Sequence, residues 1–375
     1  MKKSPAFPGT LTLLIVLGAA VVAAAQDRLQ ELADADHWKE VRALAEPMFQ
    51  ANPKDDRALF FLGRYKEVAG DYDGALALAQ KALAIDPKNP DYHCLLSLIY
   101  GRQVLKAGIF RKIGLARRVR KEAETALKLK SDHVEARLIL IEFFRRAPGI
   151  IGGDKAKARV LAEEAVRLDP VRGYIAQAVF AHDERQDSGA EKFYKKAVEA
   201  DPRSYFALIT LARSYGYGGQ RNFDLIEKYA KEAMALDPGR VAAYDLLAQN
   251  LARLERWQDL EDLLLLAEQR VSDNLSPYIQ AGRIVLQQGK DYERAERYFR
   301  KSLTQEPEPV FTSRGSTSSH AQTYWRLGQT LEKLNRKAEA VEALKTAVKM
   351  DPNLDGAKKD LKRLRSIFSD LGPRP

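Results

Sequence analysis

Prolines preceded by an acidic or small polar residue recur along this chain at an interval close to 34 residues. Pro53 and Pro87 are 34 apart, and Pro170, Pro202 and Pro238 follow one another at 32 and 36. The gaps of 83 from Pro87 to Pro170 and 69 from Pro238 to Pro307 divide when Ser131 in LKLKSDH and Ser272 in EQRVSDN are read as degenerate copies; a last step of 45 leads to Pro352. A period of this size means stacked supersecondary units, none of which buries its apolar face alone. At 375 residues, length by itself would suggest two or three domains; the period overrides that estimate.

Each unit reads as two helices. In residues 56–89 apolar positions recur at helical spacing, Gly70-Asp71 interrupts them, and a second helix carries Ala75, Ala79 and Ala82. Asp86-Pro87 ends it, because a residue before proline is pushed out of the helical region and proline suits a helix start. The same ending appears at Asp169-Pro170, Asp201-Pro202, Asp237-Pro238 and Asp351-Pro352. The spacing of Leu62-Gly63, Ala75, Ala82 and Pro87, repeated by Leu327-Gly328, Ala340, Leu344, Ala347 and Pro352, resembles the tetratricopeptide repeat (TPR). Ala190, Tyr194, Ala197 and Pro202 match its second helix, as do Ala295, Phe299, Ser302 and Pro307; Lys66 and Leu331 stand where that family usually has an aromatic. Nine units are expected over residues 26–352, in an all-α superhelical solenoid of antiparallel helix pairs. Residues 353–375 are expected to form an amphipathic capping helix, with Leu361, Leu364 and Phe368 inward, and a tail.

Lys2 and Lys3 precede an uncharged apolar run from Leu11 to Ala25 that ends in small residues, the pattern of a secretory signal. Cleavage between Ala25 and Gln26 is the leading expectation and an uncleaved inner-membrane anchor the other, since the run is short of the roughly 20 residues of a spanning helix. Either way the chain is expected to be exported, and periplasmic or secreted if cleaved.

Three stretches break the phase. Residues 101–121 contain no acid, and Arg111, Lys112, Arg117, Arg118, Arg120 and Lys121 interleave with Ile109, Phe110 and Ile113. Two readings are open: a basic amphipathic element for anionic lipid or an acidic polymer, or a lengthened helix pair whose apolar side packs inward while its charges are solvated. Residues 147–154 read as a widened, partly apolar turn, and residues 308–319, rich in Ser and Thr, as a mobile loop or elbow.

The net charge of +10 permits anionic partners without requiring nucleic acid, which the export signal disfavours. A single cysteine, Cys94, excludes an internal disulfide and a multi-thiolate metal site. His37, His93, His133, His182 and His320 lie in different units with no paired-ligand spacing. No catalytic, cofactor or metal residue is assigned, and a non-enzymatic protein is expected.

In the family this chain resembles, first helices line a concave groove, which places the side chain after each Leu-Gly equivalent, and the one a turn earlier, toward a partner protein or peptide. Those positions are Phe60 with Arg64, Ile209 with Arg213, Ile279 with Arg283 and Trp325 with Gln329; Tyr217 and Arg253 lie further along the same face. An apolar foothold beside a guanidinium suits segments bearing carboxylates. The competing reading is that each Arg pairs internally and the aromatics are core. Arg64, Arg213 and Arg283 stand where the carboxylate-clamp subtype of the family has asparagine, so its chaperone-tail binding is not carried over.

Overall fold

A computed structural model describes residues 27–184, 187–216, 221–309, 311–312, 315–316 and 320–369. The first helix, α1, covers residues 27–34 of these. Eighteen more follow in pairs: α2 (Trp38–Ala51), α3 (Asp56–Ala69) and α4 (Tyr72–Ile85), α5 (Pro90–Lys106) and α6 (Ile109–Leu129), α7 (Val134–Arg146) and α8 (Lys155–Leu168), α9 (Pro170–Asp183) and α10 (Asp187–Ala200), α11 (Tyr205–Ser214) and α12 (Phe223–Leu236), α13 (Val241–Arg253) and α14 (Trp257–Arg270), α15 (Ser276–Gln288) and α16 (Tyr292–Ser302), and α17 (His320–Lys333) and α18 (Lys337–Met350), with α19 (Asp355–Ser369) as the cap. With α1 and α2 as the first unit, the nine expected pairs are present among the described residues.

Local chemistry explains the repetition. At five of the recurring prolines the preceding acidic or amide residue spans the proline with an Asx turn: Asn52, Asp86, Asp201, Asp237 and Asp351 each accept the backbone N–H two residues on, at 2.9 to 3.1 Å. Inside the units the chain reverses through a left-handed residue, Gly70 and Gly289 but also Asp36, Glu255 and Asn335. Second helices present fully buried alanines, such as Ala75, Ala79 and Ala82 in α4, so the paired backbones approach closely. The Leu-Gly signature has the same cause: a Cβ on Gly328 would lie 2.8 Å from Leu344 in the partner helix. The short fifth unit is compressed further. Asp169 ends α8 and at the same time caps α9, accepting from Arg172 N–H at 3.0 Å, and a Cβ on Gly173 would come within 2.3 Å of the Val166 backbone nitrogen.

Direct contacts run between successive first helices, α3 to α5 to α7 and α9 through α11, α13, α15 and α17 to α19, so first helices line the inside of the curve. The cap behaves as expected: Ala357, Leu361 and Leu364 are buried, and Asp360 Oδ2 accepts from Trp325 Nε1 at 2.7 Å. The side chain of Phe368 lies outside the described residues. Residues 308–319 depart from a bare loop in two ways. Phe311–Thr312 and Gly315–Ser316 pair as two-residue antiparallel strands, a small exception to the all-α expectation, and Glu308 is buried.

That burial reflects a contact absent from the repeat pattern. Lys39 N–H, in the uncapped first turn of α2, donates to Glu308 Oε1 at 2.8 Å. Its ammonium reaches the backbone oxygens of Asp273 and Glu306, and Arg42 Nη2 lies 3.3 Å from Glu306 Oε2. His37 Nδ1 is 3.7 Å from Asp273 Oδ2. The first unit thus rests on the ends of the seventh and eighth, and the spiral closes on itself after one turn.

Candidate functional site

The inner face divides into three stretches of different chemistry. Along α7, α9 and α11 it forms a cleft of about 380 Å³ whose apolar lining includes Leu138, Ile175, Val179 and Phe206, the last 46% exposed. Its arginines are spent internally: Arg145 pairs with Glu142 at 2.7 Å and with Asp183, and Arg172 with Glu135 at 3.2 Å. Sequence reading passed over this cleft because units four and five lack a Leu-Gly pair to mark the groove position.

Near the closure, the turn between α1 and α2 occupies the inner face. Asp36, held in the left-handed region at φ 64°, keeps an exposed edge, but the protein crowded around its carboxyl strips enough water from it to raise its pKa despite the attraction of Arg240, Arg213 and Arg64. Arg64 and Arg213 therefore face the chain's own carboxylate. Arg64 also stacks on the Trp38 and Phe60 rings, at 5.1 and 5.9 Å.

Along α13, α15 and α17 the face is cationic. Arg253, Arg283 and Arg326 are half-buried and none has an ion-pair partner among the described residues. Arg283 Nη2 donates to the amide oxygens of Gln249 and Gln280 at 3.0 and 3.1 Å, and Arg326 Nη1 to Gln329 at 2.9 Å. Burial lowers the pKa of all three; for Arg253 repulsion from Arg221 and Arg283 adds to it, and for Arg326 repulsion from Arg283. The nearby acid Asp245 has its pKa pushed up to about 7 by burial, against the attraction of Arg213 and Arg283. Its Oδ2 accepts from Ser276 at 3.0 Å while Oδ1 is buried without a hydrogen bond. This stretch is short of negative charge, which a carboxylate-bearing ligand would supply.

Most of the expected apolar footholds are instead structural. Ile209 is 3% exposed and belongs to the core because it turns toward α12 and α13. Ile279, partly buried, lines a small cavity together with Glu306, Pro307 and Glu308. Phe60 packs between Phe61 and Tyr92, at 5.1 and 5.4 Å between ring centres. Trp325 covers Gly356 of the cap, and Gln329 donates to Asp360 at 2.9 Å, so both serve the cap. Tyr217 lies outside the described residues, as do Ala25 and Gln26. Arg213, Arg253 and Arg283 remain on the accessible inner face; Arg326 and Asp245 join them unforeseen.

The basic segment is a pair of lengthened helices, α5 and α6, whose apolar side packs inward at Leu115, Ala116 and Val119 but not in the first turn of α6. Ile109 is 73% and Phe110 90% exposed. Arg118 stacks on Tyr100 at 5.4 Å, and Arg120 Nε pairs with Glu124 at 2.8 Å. Arg111, Lys112, Arg117 and Lys121 are exposed and have no ion pair among the described residues.

The one thiol does not assemble a nucleophile. Cys94 Sγ lies 3.8 Å from His133 Nδ1, but both are buried, burial raises the thiol pKa, and Nδ1 accepts the Ala136 N–H as the cap of α7 at 3.2 Å. His37, Glu40 and Asp273 offer donor atoms within 4.8 Å of one another. The Lys39 ammonium, bonded to the Asp273 carbonyl oxygen, brings a positive charge that opposes a cation there. No helix among the described residues is long and apolar enough to cross a membrane.

A sequence model of the tetratricopeptide repeat matches residues 321–354, over α17 and α18, and a TPR repeat model matches residues 69–104, over α4 and most of α5. No curated protein matches the chain. Similar solved structures include a thermophilic TPR protein of Thermus thermophilus, 19% identical over 52% of this chain and 99% of that one, with a TM-score of 0.46. Yeast Tom70 is 14% identical over 94% of this chain and 90% of its own, with a TM-score of 0.49. An O-GlcNAc transferase mutant of Thermobaculum terrenum is 23% identical over 41% of this chain but only 27% of the transferase, with a TM-score of 0.34. Residues 69–104 and 321–354 are thus tetratricopeptide repeats, set in a chain whose other helix hairpins are of the same build.

Proposed function

We propose that this protein is a non-enzymatic adaptor of the cell envelope that holds acidic segments of partner proteins on its inner face, at Arg253, Arg283 and Arg326. The observation carrying this reading is the set of half-buried guanidinium groups on α13, α15 and α17 that make no ion pair among the described residues, the nearby Asp245 being held above the usual carboxylate range by burial. A desolvated cation without a counter-charge is costly, and a partner's Asp or Glu relieves the cost while accepting a forked pair of hydrogen bonds. The apolar cleft along α7, α9 and α11 lies on the same inner face and suits the hydrophobic part of such a segment. The envelope location rests on the apolar run from Leu11 to Ala25 behind Lys2 and Lys3.

The test is fluorescence anisotropy with a labelled peptide that alternates Glu and Leu, against the full chain and a variant carrying Arg253→Glu and Arg283→Glu. Affinity is expected to fall at least ~10-fold, since a charge-assisted bond contributes about 1.5 to 3 kcal/mol, with the thermal melt unchanged. Equal affinity in the two proteins refutes the groove assignment. Fractionation of the native host, with the protein recovered in the cytosol, refutes the envelope assignment.

A further inference from the structure

We propose that the edge of the spiral formed by the α5–α6 and α7–α8 turns docks on an anionic lipid surface. These are the reversals inside the third and fourth units, so they lie on the same edge of neighbouring hairpins, and the turn Gly149–Ile151 touches α6. Residues 109–114 are exposed without a break, so the first turn and a half of α6 projects beyond the body. The tip is apolar: Leu105 is 53%, Ile109 73%, Phe110 90% and Ile150 94% exposed. Side chains of this size left fully in water at one place mark an interaction surface.

Charge then identifies the partner. Arg111, Lys112, Arg117 and Lys121 lie on the first four turns of α6 without ion pairs among the described residues, whereas exposed arginines elsewhere, such as Arg256, Arg336 and Arg363, are held by carboxylates. Arg111 and Lys112 also stand in the first turn of α6, where Gly108 supplies no side-chain cap and the helix dipole favours negative charge. The tip thus combines exposed apolar groups, unpaired cations and positive charge at a positive helix end. An anionic bilayer relieves all three, taking apolar groups at the acyl boundary and cations among the headgroups. The dimensions agree: interfacial elements sink about 5–10 Å, and Arg117, seven residues behind Phe110, lies roughly 10 Å back along the axis, within headgroup reach. This surface is separate from the arginine stretch of the groove.

An environment-sensitive nitrobenzoxadiazole label placed by Phe110→Cys, in a Cys94→Ala background of the full chain, reports the tip directly. A second protein labelled by Lys88→Cys, on the opposite edge, is the control. With vesicles of phosphatidylglycerol and phosphatidylcholine in equal amounts, the label at 110 is expected to shift to the blue and brighten about threefold or more, while that at 88 stays aqueous. Pure phosphatidylcholine, or Arg111→Glu with Lys112→Glu, is expected to weaken the response by ~10-fold. A label at 110 that remains aqueous on anionic vesicles overturns the proposal even if the chain sediments with them, as does a response untouched by the charge reversal. Because the groove test uses a soluble peptide, either reading can fail alone.

Discussion

Closure of the spiral depends on a carboxyl group whose protonation differs between the closed and released forms, so its pH dependence has a sign and a size. Glu308 caps α2 from the other end of the chain, and burial pushes its pKa up to about 7 from the ordinary 4.5, although the Lys39 N–H and ammonium oppose the rise. The closed form therefore binds the extra proton between those two values. This contribution to closure is fully present below 4.5 and is lost as pH rises through 7. His37 acts in the same direction, because its hydrogen bond to Asp273 raises its pKa and favours the closed form at low pH. Asp273, lowered by His37, contributes above its ordinary 3.8 and fails only in stronger acid. Closure should be tightest near pH 4.5, loosen progressively as pH rises from there to about 7, and be weakest above 7. For Glu308 alone, moving from pH ~5 to ~8 changes the balance by about 2.5 kcal/mol, or ~70-fold in the ratio of closed to open. Spin labels at the exposed positions Gln50 and Glu293 read the gap by double electron–electron resonance. Glu308→Gln keeps an acceptor for the Lys39 N–H and removes the titration, so its closed fraction should vary only with His37. A wild-type distance distribution that is the same at both pH values, or a Gln variant that titrates like the wild type, would refute the reasoning.

Gly173→Ala should destabilise the protein by about 3 kcal/mol, because the added methyl meets the Val166 backbone rather than a movable side chain; a shift of less than about 1 °C in the thermal melt would show that α8 and α9 slide apart freely. Acidic-peptide binding should strengthen from pH 8 to pH 6 by about tenfold, since protonation of Asp245, whose pKa is about 7, removes a negative charge beside Arg213 and Arg283. In Asp245→Asn the dependence should vanish, and its persistence in anisotropy titrations would place the responsible group elsewhere.

The repeat was legible because the chemistry that defines a unit is local. An Asx turn across proline, alanines on a second helix and a glycine facing them lie within about forty residues of one another. Each leaves the same trace wherever it recurs, so nine hairpins and the cap could be counted from spacing. The left-handed turn residues were less legible: only glycine announces that conformation, and Asp36, Glu255 and Asn335 hold it without announcing it. The third unit showed the limit of composition. Its cations were visible in the chain, but whether Ile109 and Phe110 faced inward depended on how far α6 extends past its neighbours.

The groove was half legible, for a reason of geometry. A residue's place on a first helix follows from the repeat, and Arg253 and Arg283 were assigned to the inner face on that ground. What stands opposite it does not follow, because the facing group belongs to another unit. Ile279 was placed correctly on its helix, yet it lines a small cavity with residues 306–308 beyond α16. Arg64 and Arg213, in units two and six, share Asp36 of unit one. Such pairings depend on the pitch of the whole spiral, which is the accumulated result of small rotations at every junction, including the compressed one at Gly173. The inner-face arginines of α13, α15 and α17, which make no ion pair among the described residues, are those this folding back does not reach. Self-closure therefore determines which part of the inner face remains open to a partner.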